Sequence, residues 1–366
     1  MLYEIETNAE FPVINVDETS QIVAAANEFG LSFFTDIVEI EKKNRSSNIY
    51  CGVAEDSTRY IIRRCNASLS ILTEQQASAL ASVEHTHTLT PRMNLKGQFV
   101  SVLGDSAWVC YPFIEGELFG SVESHDLLVV VTEAYNFLSA LAAYGESNKS
   151  SVSEIIHVDT RSEDWSNLAA RMVAAPESKI EDAYQKELGL DLLEVLRETD
   201  SWWKNIVSLG QEVDFEQEFL VHYDLQAANV IMNPKGPAFI DMEDICFAND
   251  QISLAHLVFK LLRHMIWLRP SRRNEVCQHI LPAVLEKLDS LGCSDLAERE
   301  KIAAHAFAHT LSDLAAIMHL TFESGRQDLL YDVRKKVLNI FEIADIFGIS
   351  QGNPLQMNLY RNQAST

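Results

Sequence analysis

Apolar residues recur along the chain with two different periods, and the change of period divides it. Over 18–29 (ETSQIVAAANEF) they return every three to four positions, which places them on one face of a helix. Asp17 or Thr19 is a candidate cap for that helix, and Gly30 a stop. Three short runs rich in β-branched and aromatic residues follow, FFTDIVEIE, SNIYCGVAE and TRYIIRRC, which predict strands paired as hairpins. Helical spacing returns over 73–84, and FVSVLG and AWVCYPFIEGE predict two further strands, the second ending at Gly116. The N-terminal part therefore predicts a small antiparallel sheet with a helix packed on it.

From 125 onward the pattern is helical, with one interruption. HDLLVVVTEAYNFLSALAAYG predicts an apolar-rich helix, and the more polar stretch 146–218 holds Trp165, Trp202 and Trp203, read as packing residues. The interruption is a predicted β-hairpin: NVIMN, a PKGP turn punctuated by Pro234 and Gly236, and AFIDM. Helices are expected over 252–268, 273–291, 296–323 and 327–346. A chain of 366 residues exceeds what one hydrophobic core serves, so two lobes are expected.

Composition narrows the function. With 53 acidic against 29 basic residues the formal charge is −24, and no basic run offers the counterion release on which nucleic-acid binding depends. The acidity reads first as a solvated surface. None of the six cysteines forms a CxxC pair, which predicts free thiols in a reducing, cytoplasmic setting. The N-terminus lacks a basic segment followed by an apolar run, and no uncharged apolar stretch of about 18 residues occurs. Neither a signal peptide nor a membrane span is expected.

The chemistry concentrates in 219–244, FLVHYDLQAANVIMNPKGPAFIDMED. His222, Asp224 and Asn229 form H-x-D-x-x-x-x-N, and Asp241 follows twelve residues after Asn229. Phosphoryl transfer calls for a carboxylate beside the attacking hydroxyl and two oxygen ligands for a metal on the phosphates. A short loop supplies the first two from Asp224 and Asn229, and a hairpin returns the chain to supply Asp241. His305 and His309, four apart on a predicted helix, form a weaker metal-ligand pattern without a third ligand, and read as packing.

These residues resemble the aminoglycoside-phosphotransferase and choline-kinase family, relatives of the protein kinases. VHYDLQAANV is similar to the family's catalytic loop and FIDMED to its metal-binding strand. Upstream, GLSFFTDIVEIEKKNRSSNIYCGV resembles its opening helix, strand and phosphate loop, YIIRRC its phosphate-contacting strand, and YPFIEGE its hinge. The resemblance implies a bilobal, protein-kinase-like α+β fold. A small antiparallel-sheet lobe would cover 1–113 and a larger, mainly helical lobe 114–366, with 146–218 as a helical insertion at the acceptor site. It implies ATP and Mg²⁺ as cofactors, with ATP against Tyr111 to Glu115, Phe113 included, and with phosphates near Ser46, Ser47 and Asn48. The phosphate-holding base is Arg63 or Arg64, strand alternation favouring Arg63; its acidic partner is Glu74, or Gln76 in its place. Asp224 would be the catalytic base, His222 a brace for the loop, Asn229 and Asp241 metal ligands, and Glu243 a further one.

The implied activity is transfer of the ATP γ-phosphate to a hydroxyl of a sugar, amino sugar or amino alcohol. A non-catalytic nucleotide-binding protein and a protein kinase are the alternatives. Only ten residues, MEDICFANDQ, separate Asp241 from the next predicted helix, too few for a peptide-docking segment. Acidic residues in the insertion, such as Glu163 and Asp164, would suit a cationic or polyhydroxyl acceptor. Where the family often carries a second Asp near that helix start, this chain has Asp250 nearby and Ser253 in the usual slot.

Overall fold

The computed structural model describes residues 16–40, 48–83, 90–119, 124–155, 165, 200–213, 218–241, 244–323, 326 and 329–349. The fold is α+β, and the chain divides into two compact units. The first comprises Met1–Gly116, Tyr144–Ile155 and Asn233–Glu243; the second comprises Glu117–Ala143, Ile156–Met232 and Asp244–Thr366.

The first unit opens with α1 (Val16–Glu28). Because α1 begins at Val16, Asp17 and Thr19 lie inside the helix and neither is its cap. Gly30 does end it: at φ +70° it lets the Leu31 N–H turn back to the Ala26 carbonyl at 3.0 Å. Strands β1 (Thr35–Glu39), β2 (Ile49–Val53), β3 (Arg59–Asn66), β4 (Val100–Leu103) and β5 (Ser106–Pro112) form an antiparallel sheet in the order β1-β2-β3-β5-β4. Its two faces carry separate apolar clusters. Ile62 joins Tyr50, Trp108 and Cys110 under Ile22, Ala25 and Ala26 of α1 and Phe29 just beyond it. Ile61 and Cys65, one and three positions away and so on the other face of the pleat, pack with Val100, Val109 and Tyr111, together with Ile114 and Ile240. Phe34 lies so close over β2 that a Cβ on Gly52 would meet its ring at 2.4 Å, so only glycine fits there. Helix α2 (Ser70–Ser82) starts earlier than its apolar spacing suggests. A 3₁₀ turn at Ala67–Leu69 leads into it, capped by the Asn66 side chain, which accepts the Ser68 N–H at 3.0 Å.

The second unit begins with the two-residue strand β6 (Glu117–Leu118) and the long helix α3 (Ser124–Ser147), whose last turn is counted with the first unit. Over Asp126–Ser147 α3 is long and apolar enough to cross a membrane, with mean hydropathy 1.5. Its Leu127, Val130, Val131, Ala134, Phe137 and Leu141 are fully buried in the protein, as in a core helix. Helix α4 (Asp200–Gln211) buries Trp202 and Trp203, and Trp202 stacks on Phe341 with ring centres 4.9 Å apart. The packing role expected of these tryptophans is the one they have.

Strand β7 (Phe219–His222), absent from the sequence reading, precedes β8 (Val230–Asn233), which pairs with β6. The strand after the Pro234 turn is β9 (Gly236–Phe239), counted with the first unit. A second unexpected strand, β10 (Ile245–Ala248), pairs antiparallel with β7 and sets Ile245 opposite His222. Helix α5 (Asp250–Leu268) is buried on nearly every side, and the Asn249 side chain caps it by accepting the Gln251 N–H at 2.9 Å.

The helix expected over 273–291 runs without a gap from Arg273 to Ser290, but not as one α ladder. Pro282 has no N–H to continue an α ladder, and a π segment (Val276–Ile280) precedes α6 (Leu281–Ser290). Helix α7 (Arg299–Met318) likewise passes into a π segment (His319–Glu323), and α8 (Leu330–Phe347) ends at Gly348 with φ +75°. Buried ion pairs tie the neighbourhood of α5 to α8. Arg263 pairs with Glu342, which also accepts from the Trp267 ring at 2.6 Å, and Arg273 pairs with Asp345. All six cysteines are free thiols.

Candidate active site

The candidate residues fall in both units. In the first unit, strand alternation on β3 separates the two arginines. Arg63 stands opposite Val109 on the face it shares with Tyr111, and its Nη1 lies 3.9 Å from Oδ1 of Asp241. Arg64 points to the other face. There it pairs with Glu18 at 3.1 Å, lies over the Trp108 ring, and donates to Asn48 Oδ1 at 2.6 and 3.1 Å. A second bond, from the Arg64 N–H to the Asn48 carbonyl at 2.8 Å, fixes Asn48 just before β2.

Asp241 adopts φ +63° and Asn48 φ +52°, both in the left-handed region. Non-glycine residues held there are strained and concentrate at functional sites. Tyr111 is buried, and that burial is the main reason its hydroxyl is held above the ordinary tyrosine range, against the pull of Arg63. Phe113 donates its N–H to the Arg59 carbonyl at 3.1 Å and carries the Arg59 guanidinium 3.9 Å over its ring. A cavity of about 510 Å³ opens in this unit. It is lined by Arg63, Cys65, Val109 and Tyr111 of the sheet and by Thr73 and Gln76 of α2, among others.

Glu74 does not make the pair with Arg63 expected of it. Its two carboxylate oxygens accept the N–H groups of Phe99 and Val100 at 3.0 and 2.7 Å, because the helix brings it to the start of β4. Gln76, the alternative at that place, lines the same cavity as Arg63. Ser46, Ser47, Glu243, Glu163 and Asp164 lie outside the described residues.

In the second unit the β7–β10 pair carries the loop that holds Asp224. Tyr223 donates its N–H to the Asp244 carbonyl at 2.8 Å directly beyond that pair. His222 is fully buried, with its ring edge on to Phe137. Asp224 remains partly exposed, and both of its oxygens are approached. Gln226 donates to Oδ2 at 2.7 Å, and Nε2 of His256 lies 3.6 Å from Oδ1. The Asn229 amide donates its nitrogen to the Asp224 carbonyl at 3.0 Å, which leaves its own oxygen facing away from that bond. The carboxylate of Asp241 in the first unit and the amide oxygen of Asn229 in the second are each a hard donor of the type Mg²⁺ takes, so each by its chemistry fits the metal. Among the described residues there is no cluster of three or more His, Cys, Asp or Glu that could hold a metal ion.

Behind Asp224 stand His309, which the sequence marks only as a packing residue, and others it does not single out. The ring of His256 (α5) stacks on His309 (α7) at 3.6 Å, and His309 stacks in turn on Tyr223 at 4.2 Å. Nε2 of His309 bonds the Tyr223 carbonyl at 3.0 Å, and its Nδ1 lies 3.6 Å from Asp313, which pairs with Lys336 of α8. His305, the expected companion of His309, bonds the Lys301 carbonyl instead, so the two do not form a metal pair. Burial, followed by Lys336 and His309, sets the balance at Asp313. Burial alone would raise its carboxyl, but the neighbouring positive groups prevail and hold it low. Burial and its neighbours His309, Lys260 and Lys336 hold His256 well below the ordinary histidine value, and burial lowers His309 too, against the pull of Asp313.

The consequence is a pH dependence of stability. Folded, these two rings resist protonation; unfolded, they accept it near pH 6.5, so the unfolded state binds more protons in acid. Their contribution is fully present above about pH 6.5 and is lost as pH falls toward the folded values, by about 1.4 kcal/mol per pH unit for each ring. Urea unfolding at about pH 7.5 and about pH 5.5 measures this, and replacing His256 and His309 by Asn should flatten the profile. An unchanged slope in the double variant would place the proton uptake elsewhere.

No protein-family model matches this sequence, and no curated protein matches it. Solved structures do. A spectinomycin phosphotransferase in complex with ADP and spectinomycin aligns with a TM-score of 0.62 at 12% identity, over 89% of this chain and 98% of that one. An amicoumacin kinase in complex with AMP-PNP and Ca²⁺ aligns at 0.60 and 14%, over 92% and 95%. An aminoglycoside phosphotransferase from Alicyclobacillus acidocaldarius subsp. acidocaldarius aligns at 0.56 and 14%, over 98% of each chain. This chain has the protein-kinase-like fold of the aminoglycoside phosphotransferases, the fold its motifs imply.

Proposed function

We propose that the protein is an ATP-dependent small-molecule kinase that phosphorylates a hydroxyl group. The observation that carries this reading is the state of Asp224. Its carboxylate is partly exposed, accepts a hydrogen bond from Gln226 at one oxygen, has the His256 ring 3.6 Å from the other, and is set on a loop whose Asn229 presents an amide oxygen. That is the geometry of a base kept ready for an incoming hydroxyl. The fold it shares with antibiotic phosphotransferases solved with adenine nucleotides supports the same reading.

In the proposed reaction the acceptor oxygen attacks the γ-phosphorus in line as the bond to the departing ADP oxygen breaks. Asp224 accepts or orients the hydroxyl proton, which leaves to solvent after transfer. Arg63 holds phosphate oxygens with its fixed fork of donors. Asn229 and Asp241 would hold Mg²⁺, which when bound neutralises charge on the phosphates. His222 braces the loop, and the 1–113 and 114–366 division corresponds to nucleotide and acceptor roles. The acceptor is a sugar, amino sugar or amino alcohol, and the short link between Asp241 and α5 disfavours a protein acceptor.

The test is ADP release on incubation with Mg²⁺ and ATP against a panel of hydroxylated metabolites and, separately, a generic protein substrate. Acceptor-dependent ADP release from small molecules is the expected result. Phosphorylation of the protein substrate with every small acceptor silent would overturn it.

A further inference from the structure

Helix α5 carries three polar side chains at positions i, i+3 and i+7, Ser253, His256 and Lys260, which fall on one face of a helix. All three are buried, at 0%, 0% and 6% exposure. The Ser253 hydroxyl and both nitrogens of His256 lack hydrogen-bond partners within the protein. Among the described residues, Lys260 has no hydrogen bond or ion pair either, and its ammonium lies 5.4 Å from the centre of the Phe259 ring. An amine at the end of a buried stem with no counter-ion beside it costs stability whether charged or neutral, so chains seldom retain one without use.

Its surroundings are positive. Lys336, Arg263 and Lys335 all act on it electrostatically, and Asp224 is the acidic group that acts in the opposite sense. The other nearby carboxylates are taken: Asp313 by Lys336, Glu342 by Arg263 and Asp345 by Arg273. Burial, with those three cations, holds the Lys260 ammonium well below the ordinary lysine range, so an arriving anion would restore its charge. The row of α5 thus offers a hydrogen-bond donor at each of its three positions and no carboxylate, and its middle member is the ring that lies 3.6 Å from the candidate base.

We propose that the phosphoryl acceptor carries an anionic group, a carboxylate or a phosphate, that pairs with Lys260 while its hydroxyl meets Asp224. This inference rests on the kinase reading for the role of Asp224, and it narrows the acceptor to a sugar, amino sugar or amino alcohol bearing such a group. One turn of α5 separates His256 from Lys260, about 6 Å along the axis, which matches the reach of a three- or four-carbon acceptor. A purely cationic acceptor is disfavoured by the same field.

Glycerol, glycerate and glycerol 3-phosphate differ only in the group offered to Lys260, and binding is read by thermal unfolding with AMP-PNP and Mg²⁺ saturating the nucleotide site. At about 10 mM, glycerate or glycerol 3-phosphate should raise the midpoint by about 2 °C or more, and glycerol should not. Which of the two anions acts tells carboxylate from phosphate. Lys260→Met should abolish the shift and Lys260→Arg should keep part of it. Without added anion, the Lys260→Met protein should unfold at the same temperature as the parent or higher, since an apolar chain of similar volume replaces an unpaired polar group. An absent anion shift, an equal shift from glycerol, or a shift that survives in Lys260→Met would overturn the proposal. The kinase reading fails separately, if AMP-PNP with Mg²⁺ leaves the parent midpoint unmoved; a Lys260-dependent anion shift would then still establish the anion site.

Discussion

Replacing Asp224 by alanine is expected to lower the turnover of phosphoryl transfer by about 10²–10⁴ while leaving nucleotide affinity nearly intact. A positioned acid–base group contributes about that factor in the transition state, and the nucleotide is held by other residues. The side chain makes few contacts whose loss would unfold the loop. Its main-chain carbonyl, which survives the substitution, is what receives the Asn229 amide at 3.0 Å, and the Tyr223 carbonyl stays bonded to His309. The loss should therefore appear in kcat with little change in KM for ATP. Steady-state rates with an acceptor found by the panel, alongside nucleotide titration of the same protein, separate the two quantities. Near-normal turnover would remove Asp224 from the mechanism.

Asp241→Asn is expected to weaken Mg²⁺-dependent nucleotide binding by tenfold or more and to leave metal-free nucleotide binding largely unchanged. The backbone explains the choice of substitution. Asp241 sits at φ +63°, a conformation that asparagine tolerates as well as aspartate does, so the variant removes charge without adding strain. Alanine at the same place would carry a backbone cost as well and confuse the reading. The amide retains an oxygen but not the negative charge that a hard divalent cation requires. Asn229→Ala should act in the same direction, because it deletes the other oxygen donor. Calorimetric titration with ATP, with and without Mg²⁺, decides the matter. Equal Mg·ATP affinity in both variants would mean the metal is bound by other groups.

The candidate site and the fold differ in how far they could be read from the chain. The spacing of Asp224, Asn229 and Asp241 spans eighteen positions, so the sequence alone exposes it, and it led to the kinase-like fold that the solved structures share. Glu74 shows the limit of such reading. Its residue type fits an ion pair with Arg63, but α2 delivers it to the N–H groups that open β4. Which backbone groups lie within reach of a carboxylate depends on how a helix sits on a sheet, and periodicity carries no record of that.

What the sequence by itself determined is the local order. Helices α1, α5, α7 and α8 follow from apolar spacing, the five-stranded sheet from β-rich runs, and the end of α1 from Gly30. Alternation along β3 also separates Arg63 from Arg64, because successive strand residues must face opposite ways. The tertiary structure alone decided what depends on partners distant in sequence. Strands β7 and β10 have four residues each and acquire their identity only by pairing with one another. The cluster behind Asp224 draws His256 and Lys260 from α5, His309 and Asp313 from α7, and Lys336 from α8. In the sequence these are scattered polar residues in apolar helices. Their charge and protonation become consequential only when packing removes the water that would otherwise screen them.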